Sequence, residues 1–246
     1  MSAFELTGVV HLARPTGRLA HDLDELRNGI EAAPPQVLFN HAIQVVLRAG
    51  TGDDPPPDDF SAWCYGVVQD RETAERLAFT TRDHTTSAPE LRAALLSVLD
   101  SIPQKTRAAR DAPEGGDFAF ITIDSVPIPT GAGAGDASQL IETLLEADDT
   151  VWFWHLFEEP WIRAGECPLA DWLRASGSET LAERLEQDAR SGVSIEVLRK
   201  RTRRTWQRGQ LARRVAEAVT APEDERREEA RSVVAGLVSR IKRRDG

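Results

Sequence analysis

Cysteine and lysine are scarce in this 246-residue chain: Cys64 and Cys167 are the only cysteines, and Lys105, Lys200 and Lys242 the only lysines. Two cysteines cannot build the disulfide framework of a small secreted scaffold; they lack zinc-finger spacing, and neither has an obvious base beside it. A Gly-x-Ser-x-Gly elbow is also missing, so nothing points to nucleophilic catalysis. No apolar run approaches the ~20 residues that a membrane span needs, and the start lacks the charged-then-apolar pattern of a signal peptide. The expectation is a soluble, reduced, cytoplasmic protein without a membrane segment. The remaining basic residues are arginines, a bias that fits GC-rich coding better than selection for bidentate anion contacts.

The chain does contain a copy of itself. Residues 4–41 align with 118–155 without a gap, at an offset of 118 − 4 = 114. Eleven of the 38 positions are identical: Phe4/Phe118, Pro15-Thr16-Gly17/Pro129-Thr130-Gly131, Ala20/Ala134, Asp22/Asp136, Leu26/Leu140, Ala33/Ala147, Val37/Val151, Phe39/Phe153 and His41/His155. The match continues with small deletions in the second copy. Arg48-Ala49-Gly50 returns as Arg163-Ala164-Gly165, Trp63 as Trp172, Ala74-Glu75-Arg76-Leu77 as Ala182-Glu183-Arg184-Leu185, and Leu91-Arg92 as Leu198-Arg199. A unit this long is a duplicated domain, larger than a solenoid repeat. Features held in both copies belong to the fold, and features of one copy are candidates for function.

Each copy opens with a strand-like segment, Phe4–Leu12 or Phe118–Val126, followed by the Pro-Thr-Gly triplet read as a turn. A short amphipathic helix follows, capped by Asp22 with Leu23, Leu26 and Ile30 inward, or by Asp136 with Leu140, Ile141, Leu144 and Leu145 inward. A histidine-bearing helix comes next, over about residues 36–48 and 150–159, and Pro160 interrupts the second. Further helices are expected at 60–68 and 169–175, around 72–77 and 179–187, and after Ser87 and Ser194 as caps, with Glu90 completing a capping box. The expected architecture is α+β and mostly helical: a first repeat over 1–102, a linker over 103–116, a second repeat over 117–210 related by a pseudo-twofold, and a helical tail over 211–246.

Val37-Leu38-Phe39-Asn40-His41, its counterpart Val151-Trp152-Phe153-Trp154-His155-Leu156-Phe157-Glu158, the helix start Asp59-Phe60-Ser61-Ala62-Trp63, and Ala74-Glu75-Arg76-Leu77 together resemble the uncharacterised prokaryotic family known as domain of unknown function 5752. The likeness spans most of residues 4–200. It implies a duplicated fold and supplies no activity. The second copy departs from it at Leu169-Ala170-Asp171-Trp172.

His41 shares a helix face with Val37, Gln44 and Val45, an apolar setting that suits a buried, hydrogen-bonded core histidine. His155 has Glu158 and Glu159 within one helical turn. A ligand site of His41, His155 and Glu158 between the copies is the alternative, although His155 with Glu158 supplies only two ligands where a zinc site needs three or four. The glycines of Gly131-Ala132-Gly133-Ala134-Gly135 lack phosphate-loop spacing and read as a flexible turn. Trp152, Trp154 and Trp161 form an aromatic cluster unique to the second copy, suited either to the interface between copies or to a partner.

From Arg199 to Gly246 there are 15 basic and 7 acidic residues, hence +8, so the remainder holds −18 of the total −10. Arg201, Arg203, Arg204 and Arg208 form the basic surface, the only part eligible for nucleic acid. The tail stripe of Val233, Val234, Leu237, Val238 and Ile241 is apolar on one side. With no catalytic constellation, cofactor motif or metal spacing, the first functional expectation is a non-catalytic interaction or scaffold protein. It would dock a protein partner or a second copy through Trp152, Trp154, Trp161, Val234, Leu237, Val238 and Ile241. A small-molecule binder or enzyme with its site between the repeats is the second, and nucleic-acid binding by the tail the third.

Overall fold

The computed structural model of the chain describes residues 2–48, 58–83 and 87–220. It is α+β and mostly helical, with a single two-stranded antiparallel sheet among the described residues. The strands are β1 (Phe4–Ala20) and β2 (Phe118–Ala134). Between them lie α1 (Leu23–Ala32), α2 (Pro35–Ala42), α3 (Val45–Arg48), α4 (Asp59–Gly66), α5 (Arg71–Asp83), α6 (Ala88–Asp100) and α7 (Gln104–Arg107). After β2 come α8 (Ala137–Glu146), α9 (Asp149–Phe153), a π-helical turn (Trp154–Glu158), α10 (Glu159–Ile162), α11 (Pro168–Ala175), α12 (Glu179–Arg190) and α13 (Ile195–Thr220). The described residues divide into two units, those up to Thr202 and those from Arg203. Among the described residues no helix is long and apolar enough to cross a membrane.

Both strands run 17 residues, well past their expected ends. The Pro-Thr-Gly triplets do not terminate them but form irregularities inside the ladder, where Gly17 and Gly131 take φ of 78° and 75°. Proline breaks a central strand by withholding an N–H, yet in a two-stranded ribbon each strand has an edge and tolerates it. Thr16 and Thr130 tie the irregularities down, their hydroxyls donating to the carbonyls of Phe120 (2.7 Å) and Leu6 (2.8 Å).

The short helices after the strands form as the caps predict. Asp22 accepts from Glu25 N while the Glu25 carboxylate accepts from His21 N. Asp136 accepts from Gln139 N while the Gln139 side-chain oxygen accepts from Gly135 N. Each pair satisfies two N–H groups that the first helical turn leaves open. Leu26, Ile30, Leu140, Ile141 and Leu144 are fully buried, whereas Leu145 is half-buried.

The histidine-bearing segments are less regular than expected. The first splits into α2 and α3. The second passes through the π-turn, where Glu159 N bonds to Trp154 O, five residues back. The spacing from histidine to Arg-Ala-Gly is 48 − 41 = 7 after His41 and 163 − 155 = 8 after His155, so the second segment is here one residue longer, not shorter. A π-turn holds one residue more than an α-turn, which absorbs the insertion just ahead of Pro160.

Residues 103–116 are mostly exposed but are anchored at two buried positions, Arg107 and Ala112. The buried Arg107 donates to the carbonyls of Leu99 and Ile102 and pairs with Asp24, and Ala112 N donates to His21 O at 2.7 Å.

Candidate functional site

His41 is 3% exposed and both its ring nitrogens are occupied. Nε2 accepts from the backbone N–H of Ile121 at 2.9 Å, and Nδ1 lies 2.8 Å from the Asp59 carboxylate. Because Nε2 accepts, the proton of the neutral ring sits on Nδ1 and is donated to Asp59. His155, also 3% exposed, repeats this: Nε2 accepts from Thr7 N at 3.0 Å, and Nδ1 faces Glu159 at 3.1 Å. The strand partners differ by 121 − 7 and the histidines by 155 − 41, both 114. Each histidine thus clasps the strand from the other part of the chain. Phe118 lies on His41, Phe60 and Trp63 at 4.8, 5.3 and 5.8 Å, and Phe4 on His155 and Trp172 at 5.1 and 5.8 Å. The Trp63 and Trp172 indoles donate to Gly116 O and Ser2 O. Arg92 and Arg199 donate to Ala33 O and Ala147 O in matching fashion.

These clasps sit at opposite ends of the ribbon. Ile121 pairs with Pro15, eight residues along β1 from Thr7, which is roughly 26 Å at ~3.3 Å per residue. The structure therefore does not bring His41 and His155 together, and the expected trio with Glu158 does not form.

Glu158 instead meets a residue that the sequence reading passed over. Its carboxylate lies 2.7 Å from His11 Nε2. An ionised carboxylate only accepts, so the imidazole N–H is the donor. The side chains are 9% and 3% exposed. His11 pairs with Ser125 at the middle of the ribbon, and its ring meets the edge of Phe153 at 5.6 Å. Glu158 closes the π-turn, a helix irregularity that recurs at functional sites. Neither group has a counterpart: position 11 plus 114 is Ser125, and no acid lies between His41 and Arg48. That one-sided difference was the available signal. Nothing local to His11 announces a carboxylate 147 residues away.

Glu158 and Ser125 line a cleft of about 660 Å³ shared with Gln36, Phe39, Ser87, Asp124 and Trp161, within the range of small-molecule sites. Trp161 packs on Phe39 at 5.6 Å, and Asp124 is held by Arg14 through two bonds of 2.7 and 2.9 Å.

Trp152, expected on a partner surface, is a correction. It is fully buried, its indole donates to Leu144 O at 2.7 Å, and Arg199 stacks over its ring at 5.8 Å. The helix carrying it packs against β1 and meets Phe39 through Phe153, so it is covered on more sides than an ordinary surface helix. Trp154 and Trp161 are half-buried. Arg201 is exposed and pairs with Asp188; in the second unit Arg203, Arg204 and Arg208 are exposed on α13. Val233, Val234, Leu237, Val238 and Ile241 lie outside the described residues.

The thiols of Cys64 and Cys167 are buried, and loss of solvent pushes them up to about 12 and about 11, so both stay protonated and inert at neutral pH. Among the described residues no group of three or more His, Cys, Asp or Glu is placed to hold a metal ion.

Fold and site together define a mostly helical α+β protein closed by an exchanged ribbon, with one histidine–carboxylate pair beside a cleft. The chain belongs to the family of unknown function DUF5752, whose profile matches residues 1–207. Among solved structures, that of OrfY from Thermoproteus tenax is similar, with 22% identity and a TM-score of 0.70 over 84% of this chain and 95% of that one. At that identity the likeness speaks for the fold alone. No curated protein matches the chain.

Proposed function

We propose that this chain is a cytoplasmic, non-catalytic binding protein whose duplicated fold presents a small-molecule cleft lined by residues of both repeats. The carrying observation is that the buried His11–Glu158 pair occurs once and lies beside the 660 Å³ cleft, while every reciprocal contact occurs twice. Two homologous repeats, 1–102 and 117–210, joined by 103–116 and followed by a tail from 211, account for the pairing. Shifting Phe4↔Ala134 and Thr7↔Pro129 by 114 reproduces Ala20↔Phe118 and Pro15↔Ile121, with the pseudo-twofold at His11↔Ser125. Binding is favoured over catalysis because Asp124 is held by Arg14 and both thiols stay protonated, leaving Glu158 without a second free acid or a thiolate. Two free, buried cysteines support a reducing compartment.

Thermal shift with a panel of neutral, cationic and anionic small molecules tests this on wild type and Glu158→Gln. At least one class should raise the melting temperature of wild type and not of the variant. If none does so, or both proteins respond alike, the cleft is not a binding site.

Protein docking is the second reading, carried by the solvent face of the ribbon. Val10, Leu12, Val126 and Ile128 are 48%, 58%, 48% and 47% exposed, and Val10 lies directly opposite Val126. Such an aliphatic patch suits a protein partner or self-association better than the buried Trp152 does. Light scattering on Val10→Lys/Val126→Lys should show loss of any association present in wild type. Nucleic-acid binding through Arg203, Arg204 and Arg208 is the weakest reading; a steep salt dependence in filter binding would support it.

A further inference from the structure

Resting on the cleft as a binding site, we infer that its ligand is a neutral polyhydroxylated molecule, a sugar ring or short saccharide, and neither an anion nor a cation. The lining excludes the anion. Among the described residues no lysine, arginine or histidine lines it, and it carries Glu158 and Asp124, so a phosphate or carboxylate would meet like charge there. The same two acids do not call for a cation. Glu158 already has the His11 imidazole at 2.7 Å, and Asp124 has the Arg14 guanidinium bound through two hydrogen bonds. An ammonium would compete with partners that are already seated.

What remains is a set of neutral hydrogen-bonding groups beside flat apolar surface. A carboxylate offers about four lone-pair sites and His11 occupies one, so Glu158 can still accept from hydroxyls. Ser125, Ser87 and Gln36 add groups that both donate and accept. Trp161, half-buried and backed by Phe39 at 5.6 Å, offers an indole face. A sugar ring has these two aspects as well: hydroxyls at its rim, and a face of C–H groups that packs on an aromatic plane. His11 acts by position. It fixes one oxygen of the Glu158 carboxylate beside the cleft, and the T-shaped contact with Phe153 holds His11.

Isothermal titration calorimetry of the full chain tests this with four probes: glucose, maltose, glucose 6-phosphate and glucosamine. One of the neutral sugars should bind most tightly. Glu158→Gln and Trp161→Ala should each weaken that binding by about tenfold or more, the effect of one good hydrogen bond or one lost stacking face. Each variant is to be checked for an unchanged melting temperature, and Ser125→Ala serves as the replacement if one fails to fold. Tighter binding of glucose 6-phosphate or glucosamine, abolished by Glu158→Gln, overturns the neutral-polyol inference while the cleft survives as a site. Binding of sugar that is indifferent to both Glu158→Gln and Trp161→Ala, or no heat with any probe, overturns the inference as well.

Discussion

The two ends of the ribbon and its middle are built on different principles. At each end a neutral histidine accepts a backbone N–H from a strand contributed by the other part of the chain and donates to a carboxylate. The acid is Asp59 at one end, from the start of α4, and Glu159 at the other, one turn along the same helix. The clasp is retained although the source of its carboxylate has moved, as expected when burial requires both imidazole nitrogens to be satisfied. In the middle the same residue types meet once, His11 with Glu158, where the matching position is a serine. The lesson is that a buried histidine–carboxylate pair identifies a site only when the fold does not need it.

The largest expected effect separates core from cleft among the tryptophans. Trp152→Ala should cost about 3–5 kcal/mol, the range for an aromatic removed from a packed interior. Trp161→Ala, half-buried, should cost markedly less in denaturant titration. Equal losses would erase the distinction between a core ring and a cleft ring.

Next come the clasps. His41→Ala and His155→Ala each strip a backbone N–H of its acceptor, about 1–3 kcal/mol, and remove ring contacts with Phe118 or Phe4 besides. A total of roughly 3 kcal/mol each is expected, read from urea unfolding. A neutral result at one end would show that the two ends are not equivalent.

A third effect lies in the packing of strand on helix. A Cβ on Gly29 would come within 2.1 Å of the Phe120 ring, and the positions related by 114 hold Thr143 and Leu6. The strand residue is larger and the helix residue smaller at Phe120 and Gly29 than at Leu6 and Thr143. Gly29→Ala should destabilise by about 1–3 kcal/mol despite alanine's better helix propensity. Adding Phe120→Leu, the residue type of the other half, should recover part of that loss. An unchanged or worsened double variant would break the correspondence.

Smaller still is a pH effect at Asp58, the cap of α4, which also accepts from the hydroxyls of Ser61 and Thr81. Burial drives its pKa upward, opposed in part by those bonds. Since the folded value lies above the unfolded one, its contribution to stability is complete below about pH 4 and is lost as pH rises through the folded value. Asp58→Asn lacks this loss. Melting temperature of the variant relative to wild type should therefore rise from acid toward neutral pH, and parallel curves would contradict the burial penalty.

Much of this was legible in the sequence for physical reasons. Asp22 and Asp136 announce their helices because a cap and its periodic apolar residues lie within one turn, and the two capped segments stand at matched spacing in the sequence. The strands were cut short at Pro-Thr-Gly because a proline there ends most strands, and the exception depends on having only one neighbouring strand. Strand exchange left no local mark: Thr7 meets His155 across 148 residues. Trp152 looked like surface because a helix aromatic on several sides rarely lies inside so small a domain. His11 could have been singled out as the one histidine facing a serine in the gapless alignment, but its acid could not.

The central claim, that the clasps serve the fold and the middle pair serves binding, is tested most directly by His11→Ser, which gives β1 the residue that β2 carries at the matching position. Because that change alone leaves the buried Glu158 carboxylate without its donor, it is combined with Glu158→Gln. The pair variant should melt closer to wild type than His41→Ala does, while calorimetry with the neutral sugar that binds wild type should show affinity reduced by about tenfold or more. A variant that melts like His41→Ala, or that keeps full sugar affinity, would contradict the account.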